Sequence, residues 1–460
     1  MSDTVSPADG PAAGPVAAPE TVTPAYASYA LGVLFLVMLL NFLDRQIMSI
    51  LAEPIKADLG LNNTQVGLMT GLSFAIFYTT LGVPIALLAD RWHRPKIIAL
   101  SLGVWSGFTV LCGMAGNFWS MFLARVGVGV GEAGSGPASH SLLANLYPPE
   151  KRAGALGVYG MAVPLGALIA YAGGGWVTQH FSWREAFFLA GAPGLILAAV
   201  VWFTIREPRG NPSLALAFKA PVGQLKFLDA FKELAVKPTY WHLIAAGVMV
   251  QFVAYGFAAF YGGYFIRVQG VVMEVTPETP PGTWDFATMG VALGLMIGIS
   301  GALGAWSGGI VADAVRKRGV GWTLIVPALL MIASTPLFIL GLFQTTPLMA
   351  MILFAAPTIA GTFYYGPTFA AVQSLARDET RAVAVSVYLL IAGLLGMGLG
   401  PFFVGVLNDV FAGQLVDQGL SAVEADGRGL VWALVILSLF NLWGGLHFFL
   451  AARGLAKDAA

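Results

Sequence analysis

The sequence predicts an all-α membrane protein, with twelve transmembrane helices in two pseudo-symmetric six-helix bundles. Three observations carry that expectation. The 460 residues are 57% hydrophobic and 10% charged, with a mean hydropathy of +0.77, against roughly 25% charged in ordinary soluble proteins. Apolar runs of about 20 residues, enough to cross a ~30 Å hydrocarbon core as helix, recur along nearly the whole chain, and the ten-residue alternation of a β-barrel is absent. The loops of the first half are repeated in the second.

In order, the spans run 29–55, 64–89, 97–115, 118–147, 153–179 and 184–205, then 240–268, 286–311, 322–344, 348–374, 381–410 and 430–451. The chain therefore divides into a tail (1–27), an N-terminal bundle (28–205), a linker (206–237), a C-terminal bundle (238–452) and a short tail (453–460). The first tail is rich in Pro, Ala and Gly and lacks Lys and Arg, so it reads as disordered and not as a secretory signal with a basic start and apolar core. No cleaved targeting segment is expected. The linker ends in Phe227-Leu-Asp-Ala-Phe-Lys-Glu-Leu234, apolar at helical spacing, which suits a short helix on the membrane surface.

Lys and Arg placement sets the orientation. With both termini in the cytoplasm, the outer connections hold only Lys56, Arg184, Arg267 and Arg428. The inner ones collect Arg91, Arg94, Lys96, Lys151, Arg152, Arg316, Lys317, Arg318, Arg377, Arg381 and the linker cations.

The repeat is visible at two places. Ala86-Leu-Leu-Ala-Asp90-Arg91 follows the second span as Gly309-Ile-Val-Ala-Asp313 follows the eighth, and Arg152-Ala153 precedes Val158-Tyr159 as Arg381-Ala382 precedes Val387-Tyr388. Parallel repeats about an axis normal to the membrane, with a substrate site between them near the midplane, are a transporter architecture. A carboxylate is favoured at a helix N-terminus, so Asp90 is expected near the start of the eleventh span and Asp313 near the start of the fifth. With Arg91, Arg94, Arg152 and Arg381 they are candidate cytoplasmic gate residues.

Inside the spans stand Asp44, Arg45, Arg125 and Glu132. A charge at mid-bilayer costs on the order of 3 kcal/mol or more, so such residues face a bundle interior or a water-filled path and are functional candidates. Arg125 and Glu132 lie seven residues apart, about two turns and nearly on one face. Helix rise places Asp44 roughly 22 Å into its outward-running span and Arg125 about 10 Å below the outer face, so the two reach similar depth and are expected to pair. Arg45 is turned about 100° from Asp44, and its partner is not legible. Glu132, near the midplane, is the candidate coupling carboxyl, able to exchange a proton as an anionic substrate engages the arginine. His140 reads either as a hydrogen-bonded packing residue or as a proton relay. Gly127, Gly131, Ser135 and Ser139 recur every four residues, the spacing that lets membrane helices approach closely; with no strand before them they are not a dinucleotide loop.

The second half has few central charges but many aromatics, among them Tyr255, Phe260 and Tyr264 in the seventh span and Tyr365 in the tenth. A cavity with charges on one wall and aromatics on the other suits an amphiphile; the same aromatics also suit plain packing.

The Asp90-Arg91-x-x-Arg94-x-Lys96 loop resembles the signature loop of the major facilitator superfamily, with Ala86 and His93 where glycines are usual. Within it, Asn41-Phe-Leu-Asp44-Arg45, Arg125 through Gly131-Glu132-Ala133, and Ser182-Trp-Arg184-Glu-Ala-Phe187 resemble the Spinster lipid transporters and their bacterial relatives. That resemblance implies a multi-pass protein of the cell (inner) membrane, alternating access, and ion-coupled export or redistribution of lysolipids or sphingoid phosphates such as sphingosine-1-phosphate. Organic-anion symporters share the Asn-x-x-Asp-Arg and Gly-x-x-Glu-Ala patterns and are the alternative.

Other classes are poorly served. The single Cys112 excludes an internal disulfide, and the five histidines show no ligand spacing. Zero net charge points to no nucleic acid. No nucleophile elbow or phosphate loop stands out, so no enzyme, metal or cofactor is expected, with a proton as the coupling ion. A channel or receptor is the different-class alternative, disfavoured by the duplicated halves and their loops. The expected partners are the bilayer and an amphiphilic or organic-anion substrate, and the expected state is a monomer.

Overall fold

In the computed structural model the described residues are 23–208, 227–377 and 380–458, and among them every named element is helical. The first half comprises α1 (Pro24–Leu59), α2 (Asn63–Gly67), α3 (Ser73–Arg91), α4 (Arg94–Gly113), α5 (Phe118–Glu132), α6 (Ser135–Leu146), α7 (Pro149–Gly160), α8 (Ala162–His180) and α9 (Trp183–Thr204). A short α10 (Phe227–Ala235) leads to α11 (Pro238–Arg267), α12 (Phe286–Arg316), α13 (Trp322–Leu342), α14 (Pro347–Phe363), α15 (Tyr365–Ser374), α16 (Arg381–Ile391), α17 (Gly398–Asp417) and α18 (Ala422–Asp458). Wide π turns, Leu68–Leu72 and Ala392–Met397, join α2 to α3 and α16 to α17.

Among the described residues, ten helical runs are long and apolar enough to cross a membrane. The two remaining spans are the composite runs 63–91 and 118–146, broken at the first π turn and at Ala133-Gly134. The helix starts follow from local chemistry. Asn62 and Asn117 each close a capping box with the residue three further on. Asp285 accepts from the Thr288 N–H at 2.7 Å, and Pro95, Pro149, Pro238 and Pro347 occupy first turns, where a missing N–H costs nothing. Gly60 ends α1 at φ 63°, a left-handed conformation that glycine adopts without penalty.

Two expectations about the ends are corrected. α1 begins at Pro24, inside the stretch expected to be tail, because Thr23 caps it through the Tyr26 N–H; residues 1–22 lie outside the described set. α18 continues to Asp458, past the expected boundary at 452. Asp458 accepts from the Thr239 hydroxyl at 2.7 Å, which ties that end to the start of α11. The linker helix α10 packs on the second half, with Leu234 fully buried and Glu233 facing Arg377 at 3.4 Å. Linker residues 209–226 lie outside the described set.

The two halves meet along two seams. On one, α8 runs against α12, where an added Cβ on Gly290 would sit 2.5 Å from the Tyr171 carbonyl oxygen and one on Gly294 2.8 Å from that of Leu168. On the other, α2 and its π turn meet α17: a Cβ on Gly67 or Gly71 would sit 2.4 Å from the carbonyl oxygens of Pro401 or Gly398. Small residues here set the backbone separation.

Candidate functional site

The intramembrane charges gather where α1, α3, α4 and α5 meet. Arg45 Nη2 donates to Glu132 Oε2 at 2.7 Å, with side chains 9% and 0% exposed. The guanidinium stands over the rings of Tyr78 (4.4 Å), Phe74 (4.9 Å) and Phe42 (5.0 Å), within reach of cation–π attraction. Phe74 is shared, since Arg125 lies 5.3 Å from its centroid.

The expected ion pair between Asp44 and Arg125 is not made. Asp44, 1% exposed, takes a hydrogen bond from Thr109 Oγ1 at 2.9 Å, and its Oδ1 has no protein partner. Arg125 and Glu132 both interact with Asp44 electrostatically. Equal depth brings Asp44 and Arg125 into one cluster, but Arg45 is the residue that bonds to Glu132. The cluster holds two carboxylates and two guanidiniums, formally balanced, yet Asn41 Nδ2, Asp44 Oδ1, Arg125 Nε and Glu132 Oε1 are all buried without a hydrogen-bond partner. Such atoms are costly unless something satisfies them.

Beside it lies a cavity of about 770 Å³ between the halves. Phe42 and Gln46 of α1, Met161, Tyr255, Trp306 and Tyr365 are among the residues that line it. Phe42 thus touches both the cavity and Arg45, and Tyr255 and Tyr365 interact electrostatically with that arginine. The other two aromatics expected there are elsewhere: Phe260 is 1% exposed and does not line the cavity, and the Tyr264 hydroxyl donates to the Gly341 carbonyl at 3.0 Å. His140 is exposed on α6, edge-on to Tyr159 at 5.1 Å, and bonds to none of the charged residues. Phe74, Tyr78 and Thr109 were missed. The i, i+4 pair Phe74/Tyr78 marks one helix face, but nothing in the sequence says that the face meets a cation.

The expected gate residues are dispersed. Asp313 is exposed and makes no bond among the described residues, so it does not cap the fifth span. Arg94 is fully buried as a brace within the first half, holding Glu207, the Ser141 carbonyl at 2.8 Å and Asn145 at 2.6 Å. Arg381 Nε donates to the Gln373 carbonyl at 3.3 Å, and Arg152 opens α7. The side chains of Asp90 and Arg91 lie outside the described set.

A duplicated helical bundle with a cavity between its halves and a buried charge cluster beside that cavity is the architecture of a secondary transporter. The chain belongs to the Major Facilitator Superfamily, whose pattern matches residues 34–401, and it resembles the Spinster transporters within it. It is 31% identical over 435 residues to an MFS-type efflux pump of Mycolicibacterium smegmatis, covering 95% of each chain. It superposes with a TM-score of 0.82 and 30% identity on a bacterial homolog of the human lysosomal transporter Spinster, solved in an inward-facing, unoccupied conformation, covering 95% of this chain and 99% of that one. A hexuronate transporter of Bacillus subtilis is 27% identical over 407 residues, 85% of this chain and 91% of the other. This is a multi-pass membrane transporter and not an enzyme.

Proposed function

We propose that the chain is a proton-coupled carrier of an amphiphilic anion, such as a lysophospholipid or a sphingosine-1-phosphate-like lipid, working by alternating access. One observation carries the reading: a large, mostly apolar cavity lies beside the buried Arg45–Glu132 pair, with Phe42 lining the cavity and standing 5.0 Å from the Arg45 guanidinium. An anionic headgroup entering there competes with Glu132 for Arg45, and a carboxyl losing its cation in a low-dielectric site takes up a proton. The alkyl tail then lies along the apolar lining from α7, α11 and α12 toward α14. Reopening to the other side reverses the exchange, so substrate and proton move in linked steps.

The test is transport in proteoliposomes with an imposed pH gradient, comparing lysophospholipids, sphingoid phosphates and small hydrophilic acids. Glu132→Gln is expected to keep the fold and to lose the response to the gradient. A pH profile unchanged in that variant sinks proton coupling through Glu132. Transport of small acids with no lipid transport reverses the substrate reading in favour of an organic-anion symporter, the activity named for the hexuronate relative.

A further inference from the structure

Away from the central cavity, α4 and α9 run side by side in close contact: a Cβ added to Gly191 would lie 2.7 Å from the Ser106 carbonyl oxygen. About two turns further along α9 the same pair of helices carries a groove of about 320 Å³. It is lined by Ala99 and Leu100 of α4 and by Ala198, Ala199, Trp202 and Phe203 of α9. Three of these six are alanines, so short side chains leave the space. Phe203 is 82% exposed and Trp202 41% exposed, so the groove faces outward, toward the bilayer. It shares no lining residue with the central cavity.

One end of the groove is polar. Lys96, in the first turn of α4, places its ammonium 5.5 Å from the Trp202 ring, and among the described residues it makes no ion pair. Glu207, the carboxylate just past α9, is engaged by the fully buried Arg94 through its guanidinium and its backbone N–H, the latter at 2.8 Å. Thr204, the last residue of α9, is hydrogen-bonded to Tyr29 at 2.7 Å, so this end lies level with the start of α1. Tryptophan and lysine at the end of a span sit at the headgroup level, the lysine stem on apolar surface and its charge toward water.

We propose that this groove binds an anionic diacyl phospholipid of the surrounding leaflet, with one acyl chain along the alanines and the phosphate on Lys96. A groove on the bilayer face of a membrane protein is filled by lipid tails, and the charge at its mouth selects among headgroups. A choline or ethanolamine headgroup brings a second cation beside Lys96, whereas a glycerol headgroup leaves the phosphate charge uncompensated for the lysine to meet. The site holds α4 against α9 from outside and is independent of which substrate is carried.

The experiment uses full-length protein in phosphatidylcholine nanodiscs, with tail-brominated phosphatidylglycerol or tail-brominated phosphatidylcholine as the probe. Bromine quenches tryptophan fluorescence at contact, and the difference between the parent and Trp202→Phe isolates the signal of Trp202. Phosphatidylglycerol is expected to quench that signal with about fivefold higher apparent affinity than phosphatidylcholine, the equivalent of about 1 kcal/mol for one lysine near an anionic headgroup. Lys96→Gln brings the two lipids level, and Lys96→Arg keeps the preference. Ala199→Leu fills the groove and weakens quenching by both. Inorganic phosphate at matched ionic strength leaves the quenching unchanged. Equal quenching by the two lipids in the parent, a preference that survives Lys96→Gln, or release of phosphatidylglycerol by inorganic phosphate overturns the proposal.

Discussion

Asp44 and Arg45 are sequence neighbours with different partners because one residue turns a helix by about 100°. Depth along a span can be counted from its ends, and that much was legible: the four intramembrane charges do converge. Azimuth cannot be counted, since it depends on how α1 and α5 rotate against α3 and α4, and so the pair expected from depth alone is not the pair that forms. The correct pairing has an energetic consequence. Arg45→Gln leaves Glu132 buried without its cation, expected to cost roughly 3–5 kcal/mol when one partner of a buried pair is removed. Adding Glu132→Gln removes the orphan charge, so the double variant is expected to be more stable than Arg45→Gln alone. Denaturant unfolding of the four proteins in one detergent at one pH checks this. Strict additivity of the two single effects would show that the pair does not interact in the folded state.

The small-residue strip on α5 shows what an element reveals and conceals. Its spacing correctly announced close helix contact, but the helix breaks at Ala133-Gly134, so Ser135 and Ser139 belong to a separate helix, α6. Break points and π turns leave no strong sequence mark, because alanine, leucine and glycine suit either geometry; the expected span 118–147 is therefore right in extent and wrong in continuity. Within the strip the glycines also differ in what faces them. A Cβ on Gly131 would lie 2.5 Å from the Trp105 backbone nitrogen, whereas one on Gly127 meets the Phe108 ring at 2.3 Å. The Phe108 side chain can swing about its Cα–Cβ bond to make room, whereas a helix backbone must translate. Gly131→Ala is thus expected to lose about 1–3 kcal/mol, typical of overpacking, and Gly127→Ala less. Thermal unfolding of the two variants side by side reports the order, and an equal or reversed order would mean that α4 shifts freely.

At the scale of the whole molecule, the repeated loops revealed two bundles, and the aromatic second half suggested an apolar cavity wall. Two of the four proposed cavity aromatics, Tyr255 and Tyr365, stand on that wall; Phe260 and Tyr264 point instead into the packed core, a distinction of helix face that aromatic content alone does not carry. The cavity's dimensions give the amphiphile reading a measurable consequence. Gly361 lines it on α14, and a Cβ there would meet nothing within 4 Å. Gly361→Phe therefore fills space that a tail would use without pressing on backbone, and it improves helix propensity. Each methylene kept from apolar burial costs about 0.8 kcal/mol; excluding four lowers affinity for a long-chain lysolipid by roughly 3 kcal/mol, more than a hundredfold. Short-chain analogues, whose tails stop before α14, should bind as they do to the parent protein. Competition binding across a series of chain lengths reads this directly as a shift of the optimum toward shorter tails. A uniform loss at every length would place the tail elsewhere, and an unchanged series would remove the lipid tail from this cavity and leave it to a small organic anion held at Arg45.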